Sequence, residues 1–319
     1  MTLYLKENEV QKLRNSLKTY DFQTEDGTTT LEIKHYASIA SSSSNQTENN
    51  PLILFLHGFG EHSESFEPYF QYLQNSKFTK NFDLLIYDQR GHGKKLMRRD
   101  AVVSMRFEKL SDDLISISKL VKEKFPDRPL YLHGDSMGGA LILWTALNPR
   151  NAEKFVNLNL SGVILENPFV QVHPKAAGPL LKNIVLTLSR ISALDNIVIP
   201  KKLDAKAITH EKNTYKIIAK DPHYQYKTTF STASSLVEIS DYIYKNLDKW
   251  PKSVKYSLHL STGDLIVDHK AGMMLFEKAG KGYNQCNEVR IYTGAYHSLK
   301  NEIEEWRSQF VKLVSEFIL

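Results

Sequence analysis

PLYLHGDSMGGALILW, residues 129–144, runs a short apolar strand into a corner and leaves it as an apolar helix. Ser136 stands at that corner, in Gly134-Asp135-Ser136-Met137-Gly138 with Gly139 following. This is the strand-turn-helix pattern of a nucleophile elbow. Glycines two before and two after the serine remove the Cβ atoms that would block strand and helix, and they tolerate the tight backbone. The pattern follows the β-like Leu130-Tyr131-Leu132. It opens into Ala140, Leu141, Ile142, Leu143 and Trp144, which suit a helix buried on most sides. The bland alternative is a glycine-rich turn with a serine capping a helix.

Working outward, apolar runs recur with helical segments between them: LILFLHG near 52, FDLLIYD near 82, LSGVILEN near 160, YSLHLST near 256 and EVRIYTG near 288. Continuous runs of this kind, unlike alternating ones, indicate parallel strands covered on both faces. Leu110, Leu114, Ile117, Val121 and Phe125 recur every three to four residues, as a crossover helix with one apolar face would. The expected fold is an α/β, mostly parallel, doubly wound sheet. Residues 20–38 alternate around Asp26-Gly27, which predicts an antiparallel hairpin at the start.

The stretch from Pro168 to about Lys252 is too long for one crossover and predicts an inserted helical cap. The expected organisation is thus a core over 1–167, a cap over 168–252 and the rest of the core over 253–319. Within the first part, the polar run 41–51 reads as a surface loop. In the cap, Leu180, Leu181, Ile184, Val185, Leu188, Ile191 and Leu194 form an apolar stripe. It either packs on the body or faces substrate or a bilayer.

A serine hydroxyl needs a base, and the base an orienting acid. In elbow folds the chain order is serine, acid, histidine. Asp264, in STGDLIVD, and His297, in TGAYHSL, each follow a late strand, where ligands bind in open α/β sheets. Asp268 competes as the acid, but its position suits a cap of the next segment. His57, His92 and His133 lie on or beside earlier strands and are out of order. Two oxyanion donors are expected, the N–H of Met137 and that of Phe59 in HGFGEHS.

Composition narrows the rest. The net charge of +5 is spread along the chain with no basic arm, which speaks against nucleic-acid binding. One cysteine, Cys286, excludes an internal disulfide framework and fits a reducing compartment. The first residues show no signal peptide, so a cytoplasmic, non-secreted protein is expected. No metal or cofactor motif is present; Gly91-His92-Gly93-Lys94 lacks the rest of a phosphate loop.

Taken together, FLHGFGEHSE, Asp88-Gln89-Arg90-Gly91-His92-Gly93, the elbow, Asp221-Pro222, GDLIVD and GAYHSL make the chain resemble the monoacylglycerol lipase group of the α/β-hydrolases. The resemblance implies hydrolysis of monoacylglycerols to fatty acid and glycerol, with Ser136 as nucleophile, His297 as base and Asp264 as orienter. It also implies a lipid substrate held in an apolar tunnel under the cap. Glu61 lies where that group places residues near the glycerol hydroxyls; the alternative is a solvated carboxylate. Lysophospholipase and broad carboxylesterase activities use the same catalytic set, and a non-catalytic lipid-binding protein would show a broken one. A proline-releasing peptidase shares the fold, but the apolar cap argues against it.

Two features depart from the group. Asp135 stands where histidine is usual, which bears on head-group preference. The run KKLMRRD follows the Gly91-His92-Gly93 turn, with Lys94, Lys95, Arg98 and Arg99. It reads either as a solvated loop or, with the cap stripe, as a patch for peripheral contact with membranes or lipid droplets.

Overall fold

The computed structural model describes residues 13–38, 50–79, 81–93, 105–175, 179–188, 191, 194–199, 204–224, 227–280 and 287–319. The basic run 94–99, most of the polar loop 41–51, Cys286 and the side chains of Leu180 and Leu181 lie outside them.

The strands are β1 (Leu17–Gln23), β2 (Thr30–Tyr36), β3 (Leu52–Leu56), β4 (Asp83–Tyr87), β5 (Leu130–Asp135), β6 (Gly162–Glu166), β7 (Val198–Ile199), β8 (Thr228–Thr229), β9 (Tyr256–Ser261) and β10 (Glu288–Tyr292). Eight of them form one sheet in the order β1-β2-β4-β3-β5-β6-β9-β10. From β4 to β10 every pairing is parallel, and only the hairpin β1–β2 and its junction with β4 are antiparallel. The doubly wound α/β sheet and the opening hairpin are as the sequence implies.

Alternation explains why the continuous apolar runs are needed. In β3, Leu52, Leu54 and Leu56 enter one core while Ile53 and Phe55 enter the other. In β5, Leu130 and Leu132 face the first and Tyr131 the second. Successive side chains of a strand point to opposite faces, so a strand covered on both sides must be apolar at every position. The helices Phe107–Lys124 and Met137–Leu147 cover the first face; Glu67–Asn75 and Glu304–Ile318 cover the second. The edge strand β10 is the exception among the runs, with Ile291 45% exposed.

Between β6 and β9 lie the helices Pro179–Leu188, Lys212–Lys220 and Phe230–Asn246. The short antiparallel pair β7–β8 joins them, a feature that two-residue strands leave invisible in a sequence pattern. Phe230–Asn246 packs on the elbow helix, and its Ile239 and Ile243 belong to the first core. The stripe behaves differently: Ile184 and Ile191 are exposed, as are Ile197 and Val198 nearby. Among the described residues no helix is long and apolar enough to cross a membrane.

Candidate active site

Register brings the first elements together. Leu56 at the end of β3 pairs with Gly134 of β5, so the loop after β3 and the corner after β5 emerge side by side. Ser136 has φ 53° and ψ −111°, a backbone that a non-glycine residue adopts only when its surroundings enforce it. Here its N–H donates to Glu166 O at 3.0 Å, and its carbonyl accepts from Ala140 and Phe169 N–H groups at 3.0 Å. Gly138 must be glycine, since a Cβ there would lie 2.0 Å from Leu56 O. All eleven residues of the following helix are buried.

The adjacent strands β9 and β10 deliver the other two candidates. Their loops are joined through backbone bonds, Thr262 N–H to Tyr292 O at 3.1 Å and Gly263 N–H to Ala295 O at 3.0 Å. A Cβ on Gly263 would come within 2.5 Å of Gly294 O, so this close approach also needs glycine. Across the joined loops, Asp264 Oδ2 bonds His297 Nδ1 at 2.6 Å. The second oxygen, Oδ1, accepts N–H groups of Ile266 and Val267 at 2.7 and 3.0 Å. Asn167 braces the histidine loop, donating to His297 O at 2.6 Å. Burial works against the His297 imidazolium, yet the charge and hydrogen bond of Asp264, helped by Asp135, hold its pKa above the usual histidine value. Asp268 is elsewhere engaged: its carboxylate caps the helix His269–Leu275, accepting from Lys270 N–H at 3.0 Å.

Ser136 and His297 line one cavity of about 170 Å³, together with Phe59 and Met137. Its apolar wall comes from Phe169, Ile208, Leu236 and Ile266. Ile208 and Leu236 belong to the segment between β6 and β9, which therefore roofs the site. The residues brought together are thus Ser136, His297, Phe59 and Met137 at the cavity, with Asp264 buried behind His297. The out-of-order histidines serve the scaffold. His57 accepts the Gln89 N–H at 3.0 Å, and burial lowers its pKa; burial also drives His92 down to about 3. His133 is bonded to Glu166 at 3.2 Å inside the sheet. Among the described residues no group of His, Cys, Asp or Glu is arranged to hold a metal ion.

One assembly escaped the sequence reading. Lys300 is buried, with 1% of its side chain exposed, and forms a very short contact to Asp135 Oδ2. It also bonds Glu61 at 3.2 Å, while its backbone N–H donates to Glu166 Oε1 at 3.1 Å. Glu61 is therefore not a solvated carboxylate; it also accepts the Gly58 N–H and the Tyr224 hydroxyl, both at 2.8 Å. Burial opposes its charge, but Lys300 and the Gly58 N–H hold its pKa down to about 2. Asp135 moves the other way: burial and the Glu166 and Glu61 charges push it well up against the pull of Lys300. Asp135 and Glu61 share one ammonium, and Asp135, whose Oδ1 has no hydrogen-bond partner among the described residues, is the one least favoured as an anion. Only Glu61 and Asp135 carried any sequence signal, since a lysine three residues beyond a histidine looks like ordinary surface.

Residues 47–304 match the family described as serine aminopeptidase, S33. Monoglyceride lipase of Rattus norvegicus is 27% identical over 266 residues, covering 80% of this chain and 77% of that one. Caffeoylshikimate esterase of Arabidopsis thaliana is 27% identical over 270 residues, 82% of this chain and 75% of that one. Among solved structures, a soluble variant of monoglyceride lipase from Saccharomyces cerevisiae, in complex with a substrate analogue, superposes with a TM-score of 0.77 at 21% identity, covering 95% and 94% of the two chains. The family match runs from before β3 to beyond β10 and so takes in the parallel sheet, the elbow and both late loops. The chain belongs to the serine aminopeptidase S33 family of α/β-hydrolases and is a serine hydrolase.

Proposed function

We propose that the protein hydrolyses the carboxylic ester of monoacylglycerols to a fatty acid and glycerol through an acyl-enzyme. In this reading Ser136 Oγ attacks the ester carbon and His297 takes its proton. Asp264 holds the imidazole in the tautomer that leaves Nε2 free to accept. The N–H groups of Phe59 and Met137 stabilise the oxyanion; each such donor is worth about 3 kcal/mol of transition-state stabilisation. His297 then protonates the leaving glycerol oxygen, and a water activated by the same histidine releases the fatty acid.

The observation that carries this reading is the Asp264–His297 bond of 2.6 Å behind a cavity that Ser136 and His297 share. The apolar side chains of Phe169, Ile208, Leu236 and Ile266 suit an acyl chain, and the carboxylates of Glu61 and Asp135 suit hydroxyl groups. Such a wall favours a lipid ester over a peptide. The lipase and esterase names of the relatives agree with it. Exposed Ile184, Ile191, Ile197 and Val198 on the roofing segment suit peripheral contact with a membrane or lipid droplet from the cytoplasmic side.

Turnover of monooleoylglycerol, lysophosphatidylcholine and a short p-nitrophenyl ester tests the substrate. The monoacylglycerol is expected to give the highest kcat/KM. Equal or better turnover of the short ester would move the assignment to a broad carboxylesterase, and preference for the phospholipid to a lysophospholipase. Co-sedimentation with anionic liposomes tests the contact; binding unchanged on neutralising Lys94, Lys95, Arg98 and Arg99 would remove the basic run from it.

A further inference from the structure

Three loops meet at Lys300. Its Nζ bonds Asp135, the residue directly before Ser136, and Glu61, whose Oε2 accepts the N–H of Gly58 next to Phe59. Lys300 itself stands three residues beyond His297. The ammonium also lies 4.5 Å from the centre of the Phe66 ring, and 1% of the side chain is exposed. Its backbone N–H is tied to Glu166, whose carbonyl accepts the Ser136 N–H. Through Glu61 the contact reaches Tyr224 of the roofing segment.

We propose that Lys300 is a positioning residue that holds the elbow, the oxyanion loop and the histidine loop in one arrangement through its ammonium bonds to Asp135 and Glu61. This rests on the serine-hydrolase mechanism above. An ammonium offers three donors from one point, and these loops emerge from three different strands, β3, β5 and β10. In a buried setting water does not compete for those donors, so the ion contacts fix positions that a surface pair would leave loose. Without the ammonium, Asp135, already disfavoured as an anion, is held as the neutral acid, and Glu61 loses the ion contact that fixes it. Glu61 is then free to turn away from Gly58, and Phe59 moves with it. A displacement of about 1 Å in such a site lowers rate by about a hundredfold.

The test compares wild type, D135N, K300M and K300M/D135N by thermal melting, hydrolysis of a short p-nitrophenyl ester and the rate of labelling by a small alkyl fluorophosphonate. The short ester and the probe avoid the acyl tunnel and the glycerol end. K300M is expected to melt lower and to lose about a hundredfold in kcat and in labelling rate, with KM changed less than about threefold. K300M/D135N lacks the Asp135 carboxyl and is expected to melt close to D135N while remaining at least about tenfold slower than it. Equal rates for these two variants would overturn the proposal, because Lys300 would then only neutralise Asp135. A K300M enzyme with wild-type rate would overturn it as well. Failure of the underlying mechanism looks different: wild type itself would not label at Ser136.

Discussion

Asp264 and Asp135 are both buried beside the same cavity, yet their surroundings are opposite. Asp264 has both oxygens engaged: two backbone N–H groups hold Oδ1 and His297 holds Oδ2. Asp135 has one oxygen on Lys300 and the other without a hydrogen-bond partner among the described residues. A buried carboxyl that shares its counter-ion with a neighbouring carboxylate is disfavoured as an anion, and Asp135 is pushed well up. The first arrangement fixes a carboxyl group against an imidazole. The second ties loops together, and the elbow residue is one of its attachment points.

The comparison can be broken most decisively at the chemistry between these two residues. Ser136→Ala should abolish fluorophosphonate labelling and lower kcat by about 10⁶ while leaving the melting temperature near wild type. Hydrolysis persisting in that variant would place the nucleophile elsewhere. Asp264→Asn should lower kcat by about 10⁴ with little change in KM, since it leaves the geometry but removes the charge and favours the wrong tautomer. A loss under tenfold would remove Asp264 from the role of orienter.

The raised pKa of His297 gives a pH signature with two opposite signs. The proposed mechanism needs the neutral imidazole, so kcat/KM should rise with pH through an apparent pKa above the ordinary histidine value. The folded state favours the imidazolium. That contribution to stability is therefore complete below the unfolded pKa and fades as pH rises through the folded one. In Asp264→Asn the acid limb should move to lower pH; a limb that stays put would mean that Asp264 does not set it.

A third variant sharpens the point that the elbow is a packing problem before it is a chemical one. Gly138→Ala drives a methyl into Leu56 O and should lower stability by about 3 kcal/mol, read by urea unfolding. The smallest expected effect separates the two aspartates that compete in GDLIVD. Asp268→Ala removes a helix cap and should reduce stability by about 1 kcal/mol, with kcat unchanged. A large kcat loss there would reverse the assignment of the acid.

Much of this site is legible in one dimension because its rules are local. Glycine spacing around Ser136, strand ends before Asp264 and His297, and the chain order of the three follow from how a parallel sheet presents its carboxyl edge. Asp268 is readable as a cap for the same reason. The Lys300 assembly is not, because its members come from positions 61, 135, 166 and 300, and Lys300, which joins them, alone resembles a surface charge. Asn167 is hidden likewise: its bond to His297 O joins residues 130 positions apart. Pair β7–β8 has strands too short for any periodicity to register.

The sequence by itself determined the doubly wound sheet, the elbow and the order of the catalytic candidates, since alternation, turn sterics and strand-end placement act over a few residues. Only the tertiary structure decided that Glu61 is buried, that Asp135 faces an ammonium and that Lys300 is that ammonium. The physical reason is that burial of a charge depends on every element packed around it, and a linear pattern records none of those neighbours.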